Sequence, residues 1–345
     1  MHMADALLSP QVAGVMFGAS IAAAGISIKE LKKENDSHKL PLMAVCAALV
    51  FAGQMVNYAI PGTGSSGHLS GAVLLSAILG PYGAFLSMFV ILTIQAVFFA
   101  DGGLMAIGAN LWNMAFYGCF AVYWLIIYPL MKKTGKTKLI LASVLASILS
   151  LQLGAFSVVL ETKLSGITEI PFGTFLVLMQ PVHLTIGLFE GLITSSILLF
   201  IYEARPEILY IPSLKNEENQ KSKLSFKTTV IVLAVTVLIT AGGLSLVASR
   251  NPDGLEWSLF GNTEEGYSQN LGLDENNYGY KSSAQEKAEA LQNQTALLPD
   301  YNFPDSDSDM GTSFSGIVGA VIVAVLTLGL SFFIKLFKKK KNAVT

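Results

Sequence analysis

The chain has 345 residues, 52% of them hydrophobic and 13% charged, about half the charge density usual in a soluble domain. Its long apolar runs exclude a soluble enzyme or a disordered regulator and indicate an all-α polytopic membrane protein. A net charge of −2 offers no basic field for nucleic acid, and the two cysteines, Cys46 and Cys119, both lie inside apolar runs, which excludes a disulfide framework.

In chain order the apolar runs are residues 7–28, 40–57, 69–80, 83–100, 104–130, 139–160, 174–202, 226–248 and 313–336, about nine transmembrane segments. The third is too short to cross about 30 Å of hydrocarbon. It reads as a half-helix ending at Gly80-Pro81-Tyr82-Gly83. Placing the N-terminus outside puts 18 of the 22 Lys and Arg residues on the cytoplasmic side, in 29–39, 131–138, 203–227 and the C-terminal tail. Lys163, Arg250, Lys281 and Lys287 fall outside. That arrangement needs an odd number of crossings and predicts a cytoplasmic C-terminus. No positive region precedes the first run and no small-residue cleavage site follows it, so the first residues are expected to stay on the mature protein.

Residues 1–205 read as a compact bundle, 206–225 as a cytoplasmic linker, and 226–345 as a two-span domain. Between the last two spans lies an outer loop of about 60 residues, which holds 12 of the 24 acidic residues. Its stretch 282–297 has the composition of a short polar helix. No inverted repeat of the transporter kind is visible. In the first span, Gly14, Gly18 and Ala22, and likewise Ala19 and Ala23, recur at a spacing of four. Such faces let membrane helices approach closely, either within the bundle or against another subunit.

The chain starts Met1-His2-Met3. A histidine in second place can chelate a metal through the Met1 amine, the His2 amide nitrogen and the His2 imidazole Nδ1, in fused five- and six-membered rings. Three nitrogens in one plane favour Ni(II), Cu(II) or low-spin Co(II) and disfavour tetrahedral Zn(II). A fourth nitrogen must come from elsewhere, and the chain has only four histidines. His38 lies in a basic loop assigned to the cytoplasmic side. His68 lies in Gly67-His68-Leu69-Ser70-Gly71, a glycine- and serine-rich outer loop entering the membrane. It is either a ligand or a structural loop histidine. His183 precedes Glu190 by seven residues, about two helical turns on one face. The two form a second site, a shell around the first, or a polar contact between helices.

Met1-His2-Met3-Ala4-Asp5-Ala6-Leu7-Leu8-Ser9-Pro10, Gly67-His68-Leu69-Ser70-Gly71 and the run His183–Thr194 resemble, in this order, the CbiM/NikM family. These are substrate-specificity (S) components of energy-coupling factor transporters for nickel and cobalt. The resemblance covers about residues 1–205. Asn251-Pro252-Asp253-Gly254-Leu255-Glu256-Trp257 resembles the PDGLE signature of the small partner subunit of that system, here on the same chain. Fusion of the two parts tilts the reading toward nickel.

The resemblance implies that Met1, His2 and His68 hold the metal, with an N-terminus tucked into the bundle. Ser66, His183 and Glu190 are then candidates for the surrounding shell. It assigns Gly14, Gly18, Ala19, Ala22 and Ala23 to contact with a transmembrane T subunit. Asp253, Gly254 and Glu256 become a loop that opens the entry to the metal site. ATP hydrolysis is expected on separate ATPase subunits, and no G-x-x-x-x-G-K-[ST] phosphate loop occurs here. No resident cofactor is implied, only the transported metal. The outer-loop acids Asp305, Asp307 and Asp309 are expected either to attract cations weakly or to form a solvated surface. An intramembrane metalloenzyme finds no H-E-x-x-H, and an ion-coupled permease finds few carboxylates in the spans.

Overall fold

The computed structural model describes residues 1–34, 38–133, 135–211, 213–214, 223–262, 270–271, 273, 278–279, 282–303 and 308–342. Among them, seven helices are long and apolar enough to cross a membrane. They are α1 (Pro10–Leu31), α3 (Ala72–Phe99), α4 (Ile107–Leu130), α5 (Lys136–Ser165), α6 (Phe172–Ala204), α7 (Phe226–Val247) and α10 (Met310–Leu336). The shorter apolar helix α2 (Lys39–Gln54) joins them. Two short helices lie between α7 and α10: α8 (Gly254–Phe260) and α9 (Ser283–Thr295). The latter falls where the polar helix was expected. One hairpin of strands β1 (Tyr58–Ile60) and β2 (Ser65–Gly67) pairs Tyr58 with Gly67 and Ile60 with Ser65.

The count of nine runs therefore differs from the seven long helices plus α2. The third and fourth runs, 69–80 and 83–100, lie within α3, which is broken at Gly80 (φ 75°, ψ 166°) ahead of Pro81. α2 serves as a ruler for this break, since its 16 residues span about 24 Å. At its Gln54 end, the Gln54 amide donates to the Ser70 carbonyl (2.9 Å) and accepts from Gln95 Nε2 (3.0 Å). At its Lys39 end lies Gly83, where an added Cβ would sit 3.3 Å from Lys39 Cε. Ser70 and Gln95 thus share one end of the ruler, and Gly83 marks the other. The chain reverses at Gly80-Pro81. Residues 72–79 form a leg of about 12 Å. A helix this short is tolerated at membrane depth because every residue of the leg is buried in protein.

The remaining packing follows small residues and polar caps. Ser9 caps α1, its hydroxyl accepting from Val12 N (3.4 Å), with Pro10 in the first turn. Ser20 Oγ donates to the Gly108 carbonyl (2.7 Å), fastening α1 to α4. α5 and α6 touch backbone to backbone. A Cβ at Gly187 would lie 2.8 Å from Ile148 Cα, and one at Gly191 2.6 Å from Val144 Cα. The Gln152 and Gln180 amides exchange bonds with each other's carbonyls across the same pair (2.8 and 3.3 Å). α10 lies on α7 and α2, with Ser313 Oγ donating to the Gly242 carbonyl (2.7 Å) and Gly319 against the Phe51 ring.

The Lys39 end gathers the Lys39–Glu34 ion pair, Lys136 with Glu203 (2.5 Å) and Arg205 with Glu207 (2.9 Å). His38 is there as well, 4.4 Å from the Phe226 ring.

Gly80 tests the reversal. A side chain there meets a left-handed φ and the Tyr210 ring, 2.8 Å from the added Cβ. Gly80→Val is expected to destabilise the bundle by about 2–4 kcal/mol, read as a lowered thermal midpoint in detergent.

Candidate metal centre

The first eight residues are threaded into the bundle rather than left at its surface. Asn110 on α4 brackets Met3: its Oδ1 accepts from Met3 N (2.7 Å) and its Nδ2 donates to the Met3 carbonyl (3.2 Å). Gly103 N donates to that same carbonyl (2.9 Å). The Met3, Leu7 and Leu8 side chains are fully buried, and the Met1 side chain reaches Gly154 on α5. Asp5 Oδ1 accepts from Ala106 N (2.9 Å). Burial pushes the Asp5 carboxyl above its ordinary range.

This hook delivers His2 to a polar corner. Its Nε2 donates to Gln95 Oε1 (3.2 Å) and its Nδ1 lies 3.0 Å from Asp101 Oδ1. The His68 ring stands over it, centroids 5.6 Å apart and planes at 17°. Burial holds the His2 imidazole below its ordinary range, outweighing the opposite pull of Asp101. His68 is pushed down to about 4 by burial, with the Met1 ammonium and His2 adding to the effect. Both rings are therefore held toward the neutral, lone-pair-bearing form.

A polar relay runs inward from His2 with one donor sense throughout. His2 Nε2 donates to Gln95, Gln95 Nε2 to Gln54 Oε1, and Gln54 Nε2 to the Ser70 carbonyl. Ser70 N donates to Glu190 Oε2 (2.8 Å), and Ser70 Oγ to Glu190 Oε1 (2.7 Å). Gly71 N also reaches Glu190 Oε1 (3.2 Å). The Glu190 carboxyl thus takes the donors at the N-terminus of the short leg, a placement that the helix dipole favours.

The segment after α7 closes over this corner. Asp253 and Glu256 form a capping box: Asp253 Oδ1 accepts from Leu255 N (2.8 Å) and Glu256 N (2.9 Å), and Glu256 Oε2 accepts from Asp253 N (3.1 Å). The box starts a helix, α8. Asp253 Oδ2 is left over, and it lies 2.5 Å from the Met1 amine. Burial alone would raise this carboxyl; the ammonium beside it outweighs burial and holds it far below the ordinary range. Ser66 Oγ donates to the Asn251 carbonyl (2.7 Å) and Ser66 N to that of Pro252 (2.8 Å). Trp257 Nε1 donates to the Thr63 carbonyl (2.8 Å).

A second contact comes from α9 and the turn after it. Gln285 Nε2 donates to the Asp5 (2.6 Å) and Leu8 (3.0 Å) carbonyls, and Gln292 Nε2 to those of Ala96 (2.9 Å) and Gly102 (2.7 Å). Tyr301 OH donates to Asp101 Oδ2. Between these contacts lies a cavity of about 680 Å³ that reaches His2, His68, Asp101 and Asp253.

Met1, His2, His68, Ser66, His183, Asp253 and Gly254 are thus brought together, with Glu190 at the far end of the relay. Glu256 caps α8 and lines the same cavity as His2, His68 and Asp253. Gly14, Gly18 and Ala22 lie exposed on α1, and an added Cβ at Gly14 or Gly18 would meet nothing within 4 Å. Ala19 is half-buried and Ala23 buried, so the predicted stripe divides between two faces. Asp305 and Asp307 lie outside the described residues, as does the side chain of Asp309. Gln54, Gln95, Asp101, Asn110 and Tyr301 escaped sequence reasoning. A glutamine late in each of two apolar runs was the available signal for the first two. Among the described residues no three His, Cys, Asp or Glu side chains gather into a metal cage.

Comparison with known proteins bears on this arrangement. The family model for CbiM, a cobalt uptake substrate-specific transmembrane region, matches residues 2–208, and that of the PDGLE domain matches residues 227–336. A chain of Archaeoglobus fulgidus that carries the name fused nickel transport protein NikMN is 33% identical over 96% of this chain and 98% of its own length. The fused nickel transport protein NikMN of Rhodobacter capsulatus is 31% identical over 61% of this chain and 64% of its own. A crystal structure of a truncated transition metal transporter superposes with a TM-score of 0.52 at 32% identity, covering 59% of this chain and 99% of that one.

Two substitutions probe the supports of this corner. Glu190→Ala strands the Ser70 and Gly71 donors in a dry interior and is expected to cost about 3 kcal/mol, with Glu190→Gln costing less; thermal melting in detergent reads both. Asn110→Ala removes both bonds that bracket Met3. It is expected to expose the first residues to an aminopeptidase that leaves the parent chain intact.

Proposed function

The chain belongs to the CbiM family, with a PDGLE domain on the same polypeptide, and from that premise we propose that it is the substrate-binding subunit of an energy-coupling factor uptake system for Ni(II) or Co(II) in the cytoplasmic membrane. One observation carries this reading: the Met1 amine, His2 and His68 converge in a buried corner at one end of the bundle. Rings 5.6 Å apart are within joint reach of one ion, given metal–nitrogen bonds of about 2 Å. The donors are the Met1 amine, the His2 amide and Nδ1, and one His68 nitrogen. Four nitrogens in a plane suit Ni(II) and low-spin Co(II). The names of the fused relatives favour nickel.

The residues around the donors suggest how loading proceeds. The amine is held by Asp253 and the His2 Nδ1 by Asp101, so an entering cation exchanges places with these two contacts. The amine and the amide each lose a proton when they bind, and Asp253 is placed to receive the first and to pass it to solvent through the cavity it lines. Asp253, Gly254 and Glu256 act as the loading segment, seated on Ser66. His183 and Glu190 surround the site. The exposed Gly14, Gly18 and Ala22 of α1 offer a close-contact face to a T subunit, and ATP hydrolysis resides on separate ATPase subunits. Residues 1–205 form the metal-binding bundle, 206–225 the linker and 226–345 the loading domain. The Lys39 end, with the Lys- and Arg-rich connections, faces the cytoplasm and the His2 end faces out.

Metal titration of the purified chain with a free Met1 amine tests this. A near-stoichiometric, yellow, diamagnetic Ni(II) form is expected, releasing at least two protons per metal in calorimetry across buffers. One extra N-terminal residue, His2→Ala or His68→Ala should each weaken binding by about 100-fold or more. His38→Ala should change neither binding nor uptake. Unchanged affinity in the extended chain removes Met1 from the site.

A further inference from the structure

His183 on α6 holds a nitrogen with no use in the scheme above. Its Nδ1 lies 2.8 Å from the Met179 carbonyl, one turn earlier. A carbonyl only accepts, so the ring proton sits on Nδ1 and Nε2 carries a bare lone pair. That Nε2 is buried without a hydrogen-bond partner in a residue only 1% exposed. An unmet buried acceptor costs about 1–3 kcal/mol, and so asks for an occupant.

The ring borders a chamber of about 10 Å³, close to the smallest space that holds one water or one small ion. His68, Met1, Met114 and Asp253 line the same chamber. His68 repeats the pattern of His183, with its Nδ1 3.1 Å from the Leu69 carbonyl and Nε2 thereby left as the acceptor. An imidazole that gives its N–H to a main-chain carbonyl and keeps the other nitrogen bare is the usual state of a metal-binding histidine. Two such rings suit a borderline cation such as Ni(II) or Co(II) and offer little to Mg(II) or Ca(II). Gly254 of α8 forms the roof. A Cβ there would lie 3.2 Å from His183 Nε2 and 2.9 Å from its Cε1.

We propose that His183 Nε2 and His68 Nε2 form a second, inner contact for Ni(II) or Co(II), roofed by Gly254 and occupied by the ion after it leaves the Met1 amine and His2. The inference rests on the reading of His68 as a ligand. His68 is shared between the two positions, so the ion is handed inward without being set free. His183 then governs onward movement more than the strength of first capture.

The test uses the full chain with its free amine, in detergent, with Ni(II) or Co(II) as the sole added ligand. His2→Ala breaks the outer site. X-ray absorption of the metal remaining on that variant is expected to show two imidazoles, and one or none overturns the proposal without any change at position 183. His2→Ala/His183→Gln should then bind about tenfold more weakly or less well still than His2→Ala, with the apo melting temperature of His183→Gln matching that of the parent. His183→Gln alone should keep tight binding and lose uptake. Equal affinity and equal imidazole count in the single and double variants would mean that His183 Nε2 meets only a water, and would overturn the inner contact. Failure of the functional reading looks different: the parent chain then binds neither metal.

Discussion

An ammonium group cannot sit in the interior of a membrane protein without a counter-charge, and here that counter-charge arrives from the PDGLE domain. The Met1 amine is buried, and Asp253, 252 residues away, is the carboxylate beside it. Removing either partner would leave the other charged and poorly solvated, which is far costlier than the pair is worth. The threading of residues 1–8, the docking of α8 and the seating of Ser66 beneath it all converge on this contact. The two family regions are therefore joined through a buried ion pair as well as through the peptide linker.

The short leg of α3 imposes a second constraint. A helix of eight residues that stops partway has a free N-terminus and a free C-terminus at membrane depth. Glu190 meets the first, through Ser70 and Gly71. Near the second, the Tyr210 amide donates to the Ala77 carbonyl (2.8 Å). α6 and the segment that follows it thus supply a cap at each end of the leg. This arrangement brings the 65–71 segment to the same end of the bundle as Asp101, and so puts His68 over His2.

Much of this was legible in the residues. The Gly80-Pro81 pair marks the break, and the polar composition of 282–297 marks α9. Asp253-x-x-Glu256 has the spacing of a capping box and was open to being read as a helix start. Gln54, Gln95, Asp101 and Asn110 were another matter. Each is a lone polar residue within or beside an apolar run. Its role depends on which helix ends come together, and periodicity says nothing about that. The division of Ala23 from Gly14 and Gly18 has the same origin: a spacing of four defines a helix face but not its partner.

The relay from His2 to Glu190 has a direction. Every donor points inward, and it ends on a carboxyl group that receives three hydrogens. Moving the His2 ring proton to Nδ1 would leave Nε2 facing the Gln95 oxygen, acceptor against acceptor. Turning the Gln95 amide to correct this would face its oxygen to that of Gln54. Turning Gln54 in answer would set its oxygen against the Ser70 carbonyl, which has no hydrogen to offer and cannot be turned. The mismatch can be passed along but never absorbed. His2 thus meets an acceptor at each nitrogen, Asp101 Oδ1 at Nδ1 and the Gln95 oxygen at Nε2, and a neutral ring satisfies only one of them; a cation that takes the place of Asp101 at Nδ1 leaves the single proton on Nε2, where a relay anchored on the Ser70 carbonyl is already set to receive it.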